Sequence, residues 1–172
     1  KKKRFGVPWQ EGETLSVAIG QGYDLTTPLQ MALVAASVGN GGTRYRPLIL
    51  DRVETMEGEV VHQNLPQVAG KIPASPRTLS IVQQGLWSAV NGERGTASRA
   101  RLKDIDVAGK TGTSQVVGRK EGGDDYLPPH HRPHAWFVAY APVGSPRIAV
   151  AVLIENGEHG ATAICTRAPR PG

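Results

Sequence analysis

A lysine, two threonines and a glycine stand together at Lys110-Thr111-Gly112-Thr113. On one short extended segment these residue types can receive a carboxylate. The ammonium supplies charge, the two hydroxyls supply directed donors, and the glycine lets another backbone approach closely. The flanks, from Val107 to Val117, are apolar at both ends with small or polar residues between. Taken alone, four such residues are better explained as a polar strand edge or turn, so the surrounding chain has to decide.

Other chemistries compete for the same residues. Gly109-Lys110-Thr111 matches the end of a nucleotide-binding loop, but that loop needs a glycine five residues before Gly109, and Asp104 stands there. The intervening residues 104–108 read as strand entry. His130, His131 and His134, with Asp124 and Asp125, offer metal-ligand types. Pro128, Pro129 and Pro133 break any helix that would fix their spacing, so exposed loop histidines are the preferred reading and no metal is expected. A self-contained serine hydrolase fails on its nucleophile. None of the serines at 16, 37, 75, 80, 88, 98, 114 and 145 has lysine three residues later or asparagine two residues later, and no Gly-x-Ser-x-Gly occurs.

The elements that would position residues 110–113 follow from pattern. Residues 1–13 read as irregular. Thr14–Ile19 alternates and breaks at Gly20-Gln21-Gly22. Thr26 or Thr27 is placed to cap a helix beginning at Pro28, with Leu29, Ala32, Leu33, Ala35 and Ala36 on its apolar face, and residues 39–42 (Gly-Asn-Gly-Gly) end it. Tyr45–Leu50 and Glu59–His62 read as a hairpin across Met56–Gly58. Gln63–Pro73 has no clear period and reads as a surface connection. Ser75-Pro76 repeats the capping signal ahead of Leu79, Val82, Leu86 and Val90, an amphipathic stripe that Trp87 extends as a core residue. Asn91–Ala97 is a turn, and Thr96 is placed to cap a short helix to Leu102. Residues 108–114 are a strand. Ala135–Ala141 is apolar on both faces, as a central strand is, and Arg147–Asn156 is a further strand after the 142–146 turn. Helix, helix, then three adjacent strands with short connections predicts an α+β fold, an antiparallel sheet flanked by helices. There is no internal repeat and no sign of a second domain.

The totals set bounds. At 172 residues, 39% hydrophobic and 20% charged, the chain suits one globular domain. The net charge of +5 is modest and partly terminal (Lys1–Arg4, Arg167, Arg170), and no aromatic-rich basic segment accompanies it, so no nucleic-acid partner is expected. The single cysteine, Cys165, excludes an internal disulfide, and no apolar run reaches the roughly 18 residues of a membrane span. Neither an initiator methionine nor a signal peptide precedes the basic start, so the chain is expected to be a piece of something longer.

The order of features carries a resemblance. Lys3-Arg4-Phe5 with Pro8-Trp9, the run from Thr14 through Gly20-Gln21-Gly22-Tyr23, and Thr27–Ala32 come first. Asn40–Thr43 with Pro47, Arg94-Gly95-Thr96-Ala97 and Gly109–Gln115 follow. Trp136–Pro142 and Val150–Asn156 complete the set. From residue 1 to about 160 this order resembles class B penicillin-binding proteins, most closely their elongation type, penicillin-binding protein 2. The tail, Ala161–Gly172, departs from that family's closing helix.

The resemblance implies a penicillin-binding transpeptidase fold, similar to serine β-lactamases, of which this chain is the C-terminal part. It implies a cofactor-free D,D-transpeptidase whose serine attacks the D-Ala-D-Ala amide, releases D-alanine and forms an acyl-enzyme that an acceptor amine resolves. Lys110 and Thr113 are its catalytic residues here, and Thr111, Gly112 and Thr113 bind substrate. Lys110 polarises the serine of a Ser-x-Asn motif and attracts the substrate carboxylate. Both threonine hydroxyls donate to that carboxylate, the Thr113 N–H is one oxyanion donor, and Gly112 lets substrate lie along the strand edge. The nucleophilic serine is not in this chain. Implied partners are peptidoglycan stem peptides, β-lactams, the upstream segment of the same domain and the cell-wall elongation machinery. The implied place is the periplasmic side of the bacterial inner membrane, with the anchoring helix upstream. A penicillin-sensing receptor domain and a catalytically silent scaffolding module remain open alternatives. A class A β-lactamase is disfavoured by the flank of its Lys-Thr-Gly.

Overall fold

A computed structural model describes residues 3, 6–116 and 128–163. Asp124 and Asp125 lie outside the described residues. The element order is α1 (Glu11–Ala18), α2 (Pro28–Gly39), β1 (Thr43–Tyr45), β2 (Arg52–Glu54), β3 (Val60–Gln63), β4 (Val68–Lys71), α3 (Pro76–Asn91), β5 (Ala108–Ser114), β6 (His134–Ala141), β7 (Ile148–Ile154) and α4 (Gly160–Ala163). Short 3₁₀ turns occupy Ser98–Ala100 and Pro129–His131.

Strands β5, β6 and β7 form an antiparallel sheet in that order, with β6 central. β6 is the apolar strand that the sequence places in the middle. On one face Ala135, Phe137 and Ala139 are buried, and Phe137 and Ala139 cluster with Val90 of α3, Ala97 and Val107. On the other face Tyr140 lies against α2, so close that a Cβ on Gly39 would sit 2.9 Å from its ring. The Tyr140 hydroxyl is buried without a hydrogen-bond partner among the described residues, and burial pushes its pKa up.

Both capped helices form as their sequences dictate. Thr27 Oγ1 accepts from the Gln30 N–H at 3.2 Å, Ser75 Oγ accepts from the Thr78 N–H at 3.1 Å, and proline takes the first helical position in each. Gly41 and Gly42 end α2 with positive φ. Gln83 Nε2 donates to the Val38 carbonyl at 2.7 Å, joining α3 to the end of α2.

Four expectations need correction. Thr14–Ile19 is not extended: it falls largely in α1, which begins at Glu11 inside the stretch read as irregular. Glu13 accepts from the Gln10 N–H at 2.7 Å, and this local cap wins over the alternation. The hairpin turn lies where expected, but its first strand is Arg52–Glu54, while Thr43–Tyr45 pairs with Val68–Lys71 inside the supposed connection. Thr96 does not cap the 3₁₀ turn, whose cap position is Ala97 without a side-chain bond. Of the α3 stripe, Leu79 and Val90 are buried, whereas Val82 and Trp87 are exposed, so Trp87 is no core residue of this chain.

One side of the sheet is unevenly covered. The face of β6 that meets α3 continues onto β7 as Ile148, Val150, Val152 and Ile154, all exposed. α3 lies over β5 and β6 and leaves this stripe bare.

Candidate active-site edge

β5 pairs with β6 in unbroken register from Ala108↔Tyr140 to Ser114↔His134 and is an edge strand among the described residues. In an antiparallel strand the N–H and C=O of one residue point to the same side, and successive residues alternate. The Thr111 and Thr113 carbonyls accept from side chains rather than from β6: Lys110 Nζ donates to the Thr111 carbonyl at 2.8 Å, and Gln21 Nε2 to the Thr113 carbonyl at 2.7 Å. Both residues therefore face the open edge, and so do their N–H groups, for which no described protein group competes.

Side chains converge on that edge. Lys110 is exposed, and its ammonium also lies 3.4 Å from Thr111 Oγ1, which donates to Thr96 Oγ1 at 3.2 Å. Lys110 and Thr96 help line a concavity of about 400 Å³ together with Ser88, Ala89 and Arg94. The Arg94–Ala97 turn and the C-terminal half of α3 thus form the wall facing Lys110. Asn91 Nδ2 bonds the Val107 carbonyl at 2.9 Å, holding the end of α3 to the entry of β5. Arg101 Nη2 donates to the Asn91 carbonyl at 2.6 Å, and the Ala97 N–H reaches the Ala89 carbonyl at 2.9 Å, which folds the turn back onto the helix.

Gly112 lies opposite Trp136, where a Cβ would meet Trp136 Cβ at 3.2 Å. Behind it sits Gly160, the first residue of α4. A Cβ there would fall 2.5 Å from the Trp136 carbonyl oxygen and 2.6 Å from that of Gly112. These are backbone atoms of paired strands, which yield only at a cost. Gly160→Ala is expected to cost about 1–3 kcal/mol, because overpacking against rigid backbone forces the strand to shift. Thermal unfolding of the intact protein, with Gly144→Ala as a control where nothing lies within 4 Å, checks this.

His134 lies in β6, not in a loop, and its Nδ1 accepts from the Asn156 N–H at 2.9 Å. His130 and His131 meet edge to face, and no group of three potential ligands converges among the described residues.

Sequence reasoning brought Lys110, Thr111, Gly112 and Thr113 to one edge. It missed Gln21, Asn91, Arg101 and Gly160, which hold that edge in place. The break at Gly20-Gln21-Gly22 and the glycine at the head of the last helix were the available signals.

The fold and this edge define an α+β sheet domain of the penicillin-binding transpeptidase kind. The family model for the penicillin binding protein transpeptidase domain matches residues 2–169, so the chain belongs to that family. The match includes most of the 161–172 tail. The chain is similar to peptidoglycan D,D-transpeptidase MrdA of Haemophilus influenzae, 35% identical over a 174-residue alignment that covers 94% of this chain and 25% of the relative. Among solved structures it resembles Pseudomonas aeruginosa PBP2 in complex with WCK 5153, at TM-score 0.71 and 36% identity, covering 95% of this chain and 33% of that one. It also resembles penicillin-binding protein A of M. tuberculosis in an imipenem acyl-enzyme complex, at TM-score 0.65 and 28% identity, covering 87% and 31%. The chain spans about a quarter of the length of the curated relatives it matches.

Proposed function

We propose that this chain is the C-terminal part of a peptidoglycan D,D-transpeptidase domain and supplies the wall that holds the substrate carboxylate and the oxyanion. The observation that carries the reading is the open edge at residues 111–113, where the Lys110 ammonium, the Thr111 hydroxyl and the outward-facing peptides of Thr111 and Thr113 lie together. In this reading Lys110 attracts the terminal carboxylate of a D-Ala-D-Ala stem peptide and polarises the serine of a partner motif. Thr113 donates a hydroxyl hydrogen bond to that carboxylate, and Thr111 does so when its hydroxyl turns from Thr96 Oγ1, to which it donates here. Gly112 presents no side chain to a backbone lying along the edge.

A serine on another segment of the domain attacks the penultimate D-alanine carbonyl. The Thr113 N–H donates to the oxygen as it becomes negative, the amide C–N bond breaks, and D-alanine leaves with a proton. The amine of a second stem peptide then displaces the serine. β-Lactams acylate the same serine, and a relative's imipenem acyl-enzyme supports that chemistry. The likeness to MrdA and PBP2 supports a role in peptidoglycan cross-linking, and on the family resemblance we place that role in cell-wall elongation, on the periplasmic side of the inner membrane. No helix among the described residues is long and apolar enough to cross a membrane.

The bare Ile148–Ile154 stripe supports the reading that another segment completes the domain, because apolar surface of this kind gains stability by being covered. The isolated 172 residues are therefore expected to take no covalent label from a fluorescent penicillin, while the intact protein labels stoichiometrically. Labelling of the isolated chain, or an intact protein that neither labels nor releases D-alanine, would overturn the reading.

A further inference from the structure

Gln21 lies far from β5 in sequence, in the turn that follows α1, yet its side-chain amide lies on the open edge of β5. Nε2 donates to the Thr113 carbonyl at 2.7 Å, and Oε1 accepts from the Gln115 N–H at 3.4 Å. A carboxamide carries the same donor and acceptor as a peptide group. It therefore completes one rung of a β-ladder without a strand. The turn that presents it is itself fixed. The Gln21 N–H bonds the Ser16 carbonyl at 2.8 Å, the Gly20 N–H bonds the Val17 carbonyl at 2.9 Å, and Gly20 and Gly22 both take positive φ, which residues with a Cβ rarely adopt.

The consequence is chemical. With Lys110 on the Thr111 carbonyl and Gln21 on the Thr113 carbonyl, the edge keeps its N–H donors at 111 and 113 and has its acceptors occupied. Gln21 also takes the next outward N–H, that of Gln115. A chain docking on this edge meets free N–H donors at 111 and 113, carbonyls that each already accept one bond, and a closed rung immediately beyond. That suits a substrate which presents carbonyl and carboxylate oxygens there.

We propose that Gln21 is a positioning residue: it orients the Thr113 peptide, whose N–H receives the developing oxyanion, and it closes the docking edge after Thr113. This rests on the transpeptidase reading and deepens it. The turn at 20–22 thereby joins the active site through the backbone of Thr113, without touching the reacting atoms itself.

Gln21→Ala and Gln21→Glu in the intact protein test the proposal. The alanine removes both bonds. The carboxylate can still accept from Gln115 and has no proton for the Thr113 carbonyl. Hydrogen exchange of the Gln115 amide is expected to accelerate in Gln21→Ala and to stay slow in Gln21→Glu. The acylation rate constant for benzylpenicillin is expected to fall about tenfold to a hundredfold in both variants, as misplacement of a catalytic dipole does, with the pre-covalent binding constant little changed. Unchanged Gln115 exchange in the alanine variant overturns the clamp. An unchanged acylation rate, or a loss confined to the binding constant, overturns the positioning role. If the wild-type protein does not acylate at all, the transpeptidase reading fails instead, and the Gln115 exchange still decides whether the clamp exists.

Discussion

Phe137→Ala is expected to destabilise the intact protein by about 3–5 kcal/mol, the usual cost of deleting a buried phenyl ring. Phe137 sits on central strand β6, opposite Thr111 on β5 and Val152 on β7, and is 7% exposed. Its ring packs with Val90, Ala97 and Val107, and its tip lies 2.8 Å from where a Cβ on Gly109 would be. The ring is therefore the packing support beneath the Lys110–Thr113 edge. Val90 is fully buried in α3 on the far side of the gap, and neither a helix nor a sheet at full packing density can move in to fill a phenyl-sized void. Domains typically have only about 5–15 kcal/mol of stability in total, so such a loss should appear as a clear fall in the denaturation midpoint and in soluble yield. A loss below about 1 kcal/mol would mean that the core does not centre on this ring.

How much of this was legible before the structure depended on whether a signal was local. Thr27-Pro28 and Ser75-Pro76 specify helix starts within four residues, and both helices form there. The unbroken apolar run of 135–141 can only be covered on both faces, and β6 is central. The Thr14–Ile19 alternation misled because one acidic residue, Glu13, tips such a short segment into a helix. The partner of Thr43–Tyr45 was missed for a different reason. Val68–Lys71 has no alternation of its own, since three of its four residues are exposed and the strand is held by pairing rather than by burial.

The same distinction runs through the site. The residue types at 110–113 made a carboxylate site worth weighing, because charge, hydroxyls and a missing side chain are properties of the residues themselves, and the order of the surrounding features decided between that and a polar strand edge. The groups that hold them act over long separations. Gln21 and Gly160 bear on β5 through backbone atoms at Thr113 and Gly112, and nothing in a one-dimensional pattern marks which carbonyl a distant amide will meet. Trp87 shows the converse. Its helical spacing reads as core, yet it is exposed here, as are the apolar residues along β7. A periodic pattern records burial in the complete assembly, so an apolar position left bare in this chain is consistent with cover from elsewhere in the domain.

Thr113→Pro is expected to slow acylation of the intact protein by β-lactams about 10²- to 10³-fold, equivalent to about 3–4 kcal/mol of barrier, the typical cost of losing one oxyanion donor. Proline is tolerated in a strand only where its missing N–H would face outward from an edge. Thr113 satisfies that condition, because its carbonyl is held from outside the sheet by Gln21 and its N–H shares the same side. No ladder bond to β6 is lost, so the folded state should survive. Proline also removes the hydroxyl, and Thr113→Val separates the two contributions by deleting the hydroxyl while keeping the N–H and the β-branched shape. If the N–H stabilises the developing oxyanion and the hydroxyl holds the ground-state carboxylate, valine should raise the pre-covalent dissociation constant and leave the acylation rate constant largely intact. Proline should in addition collapse the rate constant. Equal rate constants for the two variants would mean that the Thr113 peptide does not face the reacting carbonyl, and the oxyanion donor would have to be sought elsewhere on the domain.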